Sequence, residues 1–142
     1  MMLRIAAVGL CSSGLPLSAV TFTNNARLEV NTSALDWNPA NNGMLVSCWF
    51  KLSIPSETAL TENMTILANR RSGSQSDRHA YWIQFNVTNG AVEFSSRGSA
   101  GIYTNTLIDR PYLERWYHVA IVRPVDNFSC YLDGRAVPGG GG

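Results

Sequence analysis

The sequence has few charged residues, a single lysine and three cysteines, and each shortage excludes a class of protein. Charged side chains make up 15% of 142 residues and the net charge is +1, so no basic stripe exists to follow a phosphate backbone. The cysteines form no C-x-x-C pair and no cysteine–histidine cluster, which argues against structural zinc. No apolar run is long enough to cross a bilayer as a helix. We therefore expect no nucleic-acid partner and no membrane span.

What the chain does contain is enough apolar sequence for one domain with a core. Hydrophobic residues make up 45% of it, and a chain of this length buries about two-thirds of its unfolded surface. Short runs of alternating hydrophobicity recur between turn residues, and no helical periodicity competes with them. This pattern predicts an all-β fold, a two-sheet antiparallel β-sandwich.

Residues 116–134 give the clearest hairpin signal. Trp116–Arg123 and Phe128–Leu132 are both rich in β-branched and aromatic residues, and a short polar break at 124–127 separates them. Such runs are typical of strands, and Asp133-Gly134 is favoured as the turn that ends the second one. We predict an antiparallel strand pair here.

The strongest alternation runs from Ala80 to Val87, and Asn89-Gly90 predicts a two-residue type I′ turn from it into Ala91–Ser96. The alternation assigns these side chains to the core: Tyr81, Ile83, Phe85, Val87, Val92 and Phe94. The opposite face of the same two strands carries Trp82, Gln84, Asn86, Glu93 and Ser95.

Three segments share features with a known family. W-Y-H-V-A begins at Trp116 and leads to a Y-x-D-G strand end at Gly134, Phe22–Val30 has the pattern of a short hairpin, and Val46–Leu52 is an alternating strand. Together they resemble the laminin-G-like, concanavalin A-like jelly-roll superfamily over residues 20–137. The resemblance implies a jelly roll whose concave sheet face and rim loops bind glycans. It also implies an extracellular, secreted or virion-surface protein.

The two ends of the chain need separate interpretations. Residues 1–19 combine Arg4, a short apolar stretch and small residues, so they fit either a secretory signal peptide or an N-terminal strand at Leu3–Leu10. Residues 138–142 are Pro-Gly-Gly-Gly-Gly and predict a flexible tail. Family members continue past the Y-x-D-G strand, so the resemblance implies that Leu3–Leu10 replaces the missing strands or that an open sheet edge awaits a partner.

The candidate binding site consists of outward-facing aromatic, amide and carboxylate groups. Its residues are Trp82, Gln84, Asn86, Glu93, Trp49 and Tyr103. A sugar offers a flat C–H face to an aromatic ring and hydroxyls to fixed hydrogen-bonding groups. We therefore predict a non-catalytic module that binds carbohydrate or a glycosylated surface. The alternative is a structural or assembly module, such as a virion or tail decoration protein or an adhesin fragment, that contacts a protein partner or another copy.

Enzymatic function is not expected. Related jelly-roll glucanases carry an E-x-D-x-x-E strand, whereas Glu93 stands alone and glycoside hydrolysis needs two carboxyl groups. No G-x-S-x-G motif occurs.

We also expect no metal and no cofactor. The family often binds calcium at a loop rim, but Asp77 and Asp126 are single carboxylates and a calcium site needs six to eight oxygens. Cys48 and Cys130 both lie on inward faces of predicted strands, where they either pair as a disulfide or pack as two buried thiols.

Overall fold

A computed structural model describes residues 2–6, 20–23, 44–53, 61–69, 81–98, 101–123 and 127–139. Within these ranges all regular structure is β. The strands are β1 (Met2–Ala6), β2 (Val20–Thr23), β3 (Met44–Ser53), β4 (Met64–Asn69), β5 (Tyr81–Asn86), β6 (Ala91–Gly98), β7 (Gly101–Ile108), β8 (Trp116–Arg123), β9 (Ser129–Leu132) and β10 (Arg135–Ala136). No helix among the described residues is long and apolar enough to span a membrane.

The strands form two antiparallel sheets. The six-stranded sheet has the order β10-β9-β8-β3-β1-β2, and the four-stranded sheet has the order β4-β5-β6-β7. The predicted all-β, two-sheet antiparallel sandwich is therefore confirmed. The predicted hairpin is also present: β8 spans Trp116–Arg123 as expected and pairs with β9.

The hairpin between β9 and β10 has the predicted Asp133-Gly134 turn. Leu132 pairs with Arg135 across it, and both turn residues have positive φ, 48° at Asp133 and 78° at Gly134. Positive φ at both central positions is what a type I′ turn requires. The Asp133 carboxylate also accepts hydrogen bonds from the His118 backbone N–H at 2.9 Å and from Arg115 Nη2 at 3.1 Å, so the turn is fastened to the start of β8.

The core lies between the two sheets and is built largely by alternate residues of the strands whose burial the structure describes, although all residues from Ala91 to Ser96 of β6 are buried. In β3, Cys48, Phe50 and Leu52 are buried, as the sequence predicts. The remaining core residues are Ile66, Ile83, Phe85, Val92, Phe94, Leu107, Tyr117, Val119, Ile121, Phe128 and Cys130. Phe94 of the four-stranded sheet meets Phe128, next to β9 of the other sheet, with ring centroids 5.0 Å apart. This aromatic contact joins the two layers.

The connection between β5 and β6 differs from the predicted two-residue turn. Asn86 pairs with Ala91, so the loop has four residues, 87–90, and only Gly90 among them has positive φ. The longer loop forms because asparagine side chains fold back on the backbone: Asn86 Oδ1 accepts from Thr88 N–H, and Asn89 Oδ1 from Ala91 N–H, both at 3.0 Å. The pairing is displaced by two residues, which leaves every side chain on its predicted face.

At the N-terminal end, β1 lies between β3 and β2 in the six-stranded sheet. Met2–Ala6 is thus a strand in this structure, one of the two alternatives for residues 1–19, and their processing stays a prediction. Several other predictions fall outside the described residues. These concern residues 7–19 with Cys11, the second half of the Phe22–Val30 hairpin, the loop residues Asp77 and Asp126, and the tail residues 140–142.

Cys48 and Cys130 are free, buried thiols, so the buried-thiol alternative is the correct one. Burial raises the pKa of Cys48 from 9.0 to about 12. Burial also raises the pKa of Cys130, and the neighbouring Asn105 side chain partly offsets this by hydrogen bonding. Both groups behave as small apolar residues at neutral pH.

Candidate functional site

Cross-strand pairing brings four of the six predicted site residues onto the outer side of the four-stranded sheet. We call this surface the polar face, and its residues are Thr65, Ala68, Trp82, Gln84, Asn86, Glu93, Ser95, Thr104 and Thr106. One row across the sheet pairs Thr65 with Gln84, Gln84 with Glu93 and Glu93 with Thr106. The next row pairs Ala68 with Trp82, Trp82 with Ser95 and Ser95 with Thr104.

Trp82 has small cross-strand neighbours on both sides. Ala68 on β4 is exposed, Ser95 on β6 is buried, and the indole itself is half-buried. Ser95 Oγ lies 3.0 Å from Thr104 Oγ1, so the two hydroxyls hydrogen-bond to each other. Trp82 and Gln84 are therefore half-buried neighbours on this face.

Glu93 is largely buried, with 7% of its surface exposed. Its Oε1 accepts a hydrogen bond from Asn89 Nδ2 at 2.7 Å, and its Oε2 accepts one from Asn86 Nδ2 at 3.1 Å. The carboxylate thus ties the β5–β6 loop to the sheet. Both oxygens are engaged within the protein, so Glu93 and Asn86 shape the end of the polar face.

A further asparagine fixes the same end of the sheet. Asn63, just before β4, accepts a hydrogen bond from the Val87 backbone N–H at its Oδ1, 3.0 Å away. Three asparagine side chains therefore form hydrogen bonds at the loop, Asn63 and Asn86 from the flanking residues and Asn89 from within it. They hold the loop in one shape next to Gln84 and Trp82.

Trp49 lies on the opposite side of the sandwich, on the outer side of the six-stranded sheet. We call this surface the aromatic face, and its residues are Leu45, Trp49, Lys51, Trp116 and His118. Trp49 pairs with His118 and Lys51 with Trp116, and the Trp49 and His118 rings are 4.9 Å apart. Lys51 Nζ lies 5.8 Å from the Trp116 ring centroid and 2.9 Å from Glu114 Oε2.

Tyr103 faces inward, near the start of β7. It pairs with Ser96, which shares the inward face of β6 with the buried Phe94, and its hydroxyl donates to the Gly139 carbonyl oxygen. A half-buried tyrosine hydroxyl needs such a partner. The structure therefore places the six predicted residues in three locations: Trp82, Gln84, Asn86 and Glu93 together, Trp49 across the molecule, and Tyr103 on the inward side of β7.

Sequence reasoning missed the threonines of the polar face. Thr104 and Thr106 alternate along β7, and both are exposed. Their spacing in the sequence was a usable signal for a shared face. The sheet to which that face belongs follows only from the pairing of β7 with β6.

The site offers hydrogen-bonding chemistry and an aromatic ring. Glu93 has Gln84 and Thr106 as its cross-strand neighbours, and neither supplies the second carboxyl group that glycoside hydrolysis uses. Within the described ranges, no three His, Cys, Asp or Glu side chains come together as a metal site would require. Comparison of the chain with protein-family models, curated proteins and solved structures gives no match.

Proposed function

We propose that the protein is a non-catalytic binding module that recognises carbohydrate, free or on a glycosylated surface, through the polar face. The observation that carries this proposal is the position of Trp82. Its indole is half-buried on an outward sheet surface, between the small residues Ala68 and Ser95 and beside the amide of Gln84.

The chemistry of the polar face suits a sugar. The half-buried Trp82 indole is the group that would stack on the C–H face of a pyranose, and Gln84 offers both a donor and an acceptor to hydroxyls. The exposed residues Thr65 and Thr106 add hydroxyl groups on either side, and the Thr104 hydroxyl is already hydrogen-bonded to Ser95. These groups are uncharged, so the ligand we expect is a neutral glycan.

A glycan array followed by tryptophan-fluorescence titration tests the proposal. We expect the wild type to bind at least one glycan, Trp82→Ala to lose that binding with its fold retained, and the matched Trp49→Ala variant to keep it. Equal binding by wild type and Trp82→Ala would refute the assigned site. No binding to any glycan of the array would refute the function.

We also propose that the two-sheet sandwich is a laminin-G-like jelly roll. A laminin-G-like jelly roll accounts for the two antiparallel sheets together with the W-Y-H-V-A and Y-x-D-G segments of β8 and β9. Such modules act outside the cell or on a virion surface, and we propose that location for this protein.

The aromatic face favours a second candidate, an assembly module. Leu45 is 70% exposed, Trp49 39% and Trp116 38%, and clustered exposed apolar side chains often mark a protein contact. Light scattering of the wild type and of a Leu45→Ser, Trp49→Ala double variant tests this candidate. An oligomer that the double variant abolishes would support it, and an oligomer that the variant leaves intact would contradict it.

A further inference from the structure

Strand β7 forms an edge of the four-stranded sheet. Among the described strands, its one neighbour is β6. In an antiparallel sheet, alternate residues of an edge strand direct their backbone N–H and C=O groups away from the neighbouring strand. Such a row of groups is a template for pairing with another strand.

The other described edges are shorter or less regular. On β7, the six residues from Gly101 to Thr106 pair with β6 without interruption, a length of about 20 Å. On β4 a register shift between Thr65 and Leu67 divides the pairing with β5, so the longest uninterrupted run is residues 67–69. In the six-stranded sheet, β2 has four residues and β10 has two.

β7 also lacks the side chains that usually protect an edge. Proteins block edge pairing with lysine and other charged residues, with proline or with bulges. The strand G-I-Y-T-N-T-L-I contains no charge and no proline, and its one register shift lies beyond Thr106. Its outward residues Ile102, Thr104 and Thr106 are exposed, Ile102 by 59%.

We propose that β7 pairs antiparallel with β7 of a second copy of this chain, so that the two four-stranded sheets join into one of eight strands. A second copy of the chain is the partner because β7 can pair with an identical strand. Two identical antiparallel strands are related by a two-fold axis, and an uncharged strand places no like charges opposite each other.

The outward side chains fit this arrangement. With the two-fold axis near the middle of β7, Ile102, Thr104 and Thr106 of one copy lie opposite the same three residues of the other. Threonine–threonine and threonine–isoleucine pairs are favourable cross-strand neighbours. The pairing uses the backbone of β7, so it holds whatever ligand the polar face binds.

Light scattering over a concentration series tests the pairing with a double variant, Thr104→Lys and Thr106→Lys. For the wild type we expect a mass that rises toward twice 15.5 kDa, with amide protons of β7 that become protected from exchange as it rises. The double variant should stay at the single-chain mass, because ammonium groups meet across the two-fold axis.

Control variants make the result specific. Thr65→Lys adds a lysine at an exposed position of β4, at the other edge of the sheet, and should keep the dimer. The single variant Thr106→Lys should keep the dimer less completely than Thr65→Lys. Trp49→Ala on the aromatic face should also keep it. A wild type that remains a single chain up to its solubility limit, a dimer that survives the β7 double variant, or a dimer that Trp49→Ala abolishes would overturn the proposal.

Discussion

The two outer faces of this sandwich arise from the same alternating pattern and yet differ in chemistry. On the polar face a half-buried indole lies among amides and hydroxyls, and the one carboxylate is engaged by asparagines. On the aromatic face two indoles are more than one-third exposed, and the nearby charges pair with each other. The difference shows that cross-strand neighbours decide which chemical groups surround an outward side chain.

The largest loss of stability is expected for a substitution in the core between the two sheets, because both faces depend on that core. Phe94 is fully buried and contacts Phe128 between the sheets. We expect Phe94→Ala to lower the free energy of unfolding by about 3–5 kcal/mol, because it removes the apolar transfer energy and leaves a cavity. Urea denaturation measures this, and Phe94→Leu, which leaves a smaller cavity, should lose clearly less. A loss under about 1 kcal/mol for Phe94→Ala would contradict the two-layer core.

The next largest loss of stability is expected on the polar face. Glu93→Ala leaves the side-chain amides of Asn86 and Asn89 without their acceptor, so we expect a loss of about 1–3 kcal/mol in unfolding free energy. Amide exchange of loop residues 87–90 should accelerate in the same variant. Unchanged stability together with unchanged loop exchange would show that the carboxylate does not hold the loop.

A pH-dependent loss of stability is expected from the buried Cys48 thiol. The Cys48 thiol has a pKa of about 12 in the folded chain against 9.0 ordinarily. Between these values the unfolded chain loses this proton and the folded chain keeps it, so the stability present below pH 9 declines as pH rises, by about 1.4 kcal/mol per pH unit for this group. Denaturation at several alkaline pH values should give a shallower decline for Cys48→Ala, although burial raises the pKa of Cys130 and Tyr81 in the same direction. Equal slopes would contradict this assignment.

The smallest effect is expected on the aromatic face. Glu114→Gln removes the ion pair with Lys51, but the Glu114 side chain is 61% exposed, and exposed ion pairs contribute between zero and about 1 kcal/mol. The informative quantity is the difference between the losses of unfolding free energy in Glu114→Gln and in Glu93→Ala. A Glu114→Gln loss as large as that of Glu93→Ala would remove the distinction between an engaged buried carboxylate and an exposed one.

The sequence was most informative where one strand buries one face. The alternation in β5 and β6 identified inward residues such as Ile83, Phe85 and Phe94, because burial of one face imposes a period of two on the strand itself. The β5–β6 loop could not be read in the same way. Asn89-Gly90 predicts a tight turn, but the asparagine side chains stabilise a longer loop through contacts between residues that are not adjacent.

The composition of the candidate site was only partly predictable. Trp82, Gln84 and Glu93 belong to neighbouring strands of one hairpin, so local pattern brought them together. Trp49 was assigned to the same surface because it also points outward, but β3 pairs with β8 and β1 in the other sheet. Strand order depends on the path of the whole chain, and no local pattern encodes it. Tyr103 likewise turns inward through its register with Ser96.

The most direct test of the polar-face assignment follows the indole N–H signals of the four tryptophans by nuclear magnetic resonance during titration with the glycan that the array selects. We predict that the Trp82 signal shifts with glycan concentration while the signals of Trp49 and Trp116 stay in place. A shift confined to Trp49 or Trp116, with Trp82 unchanged, would contradict the account.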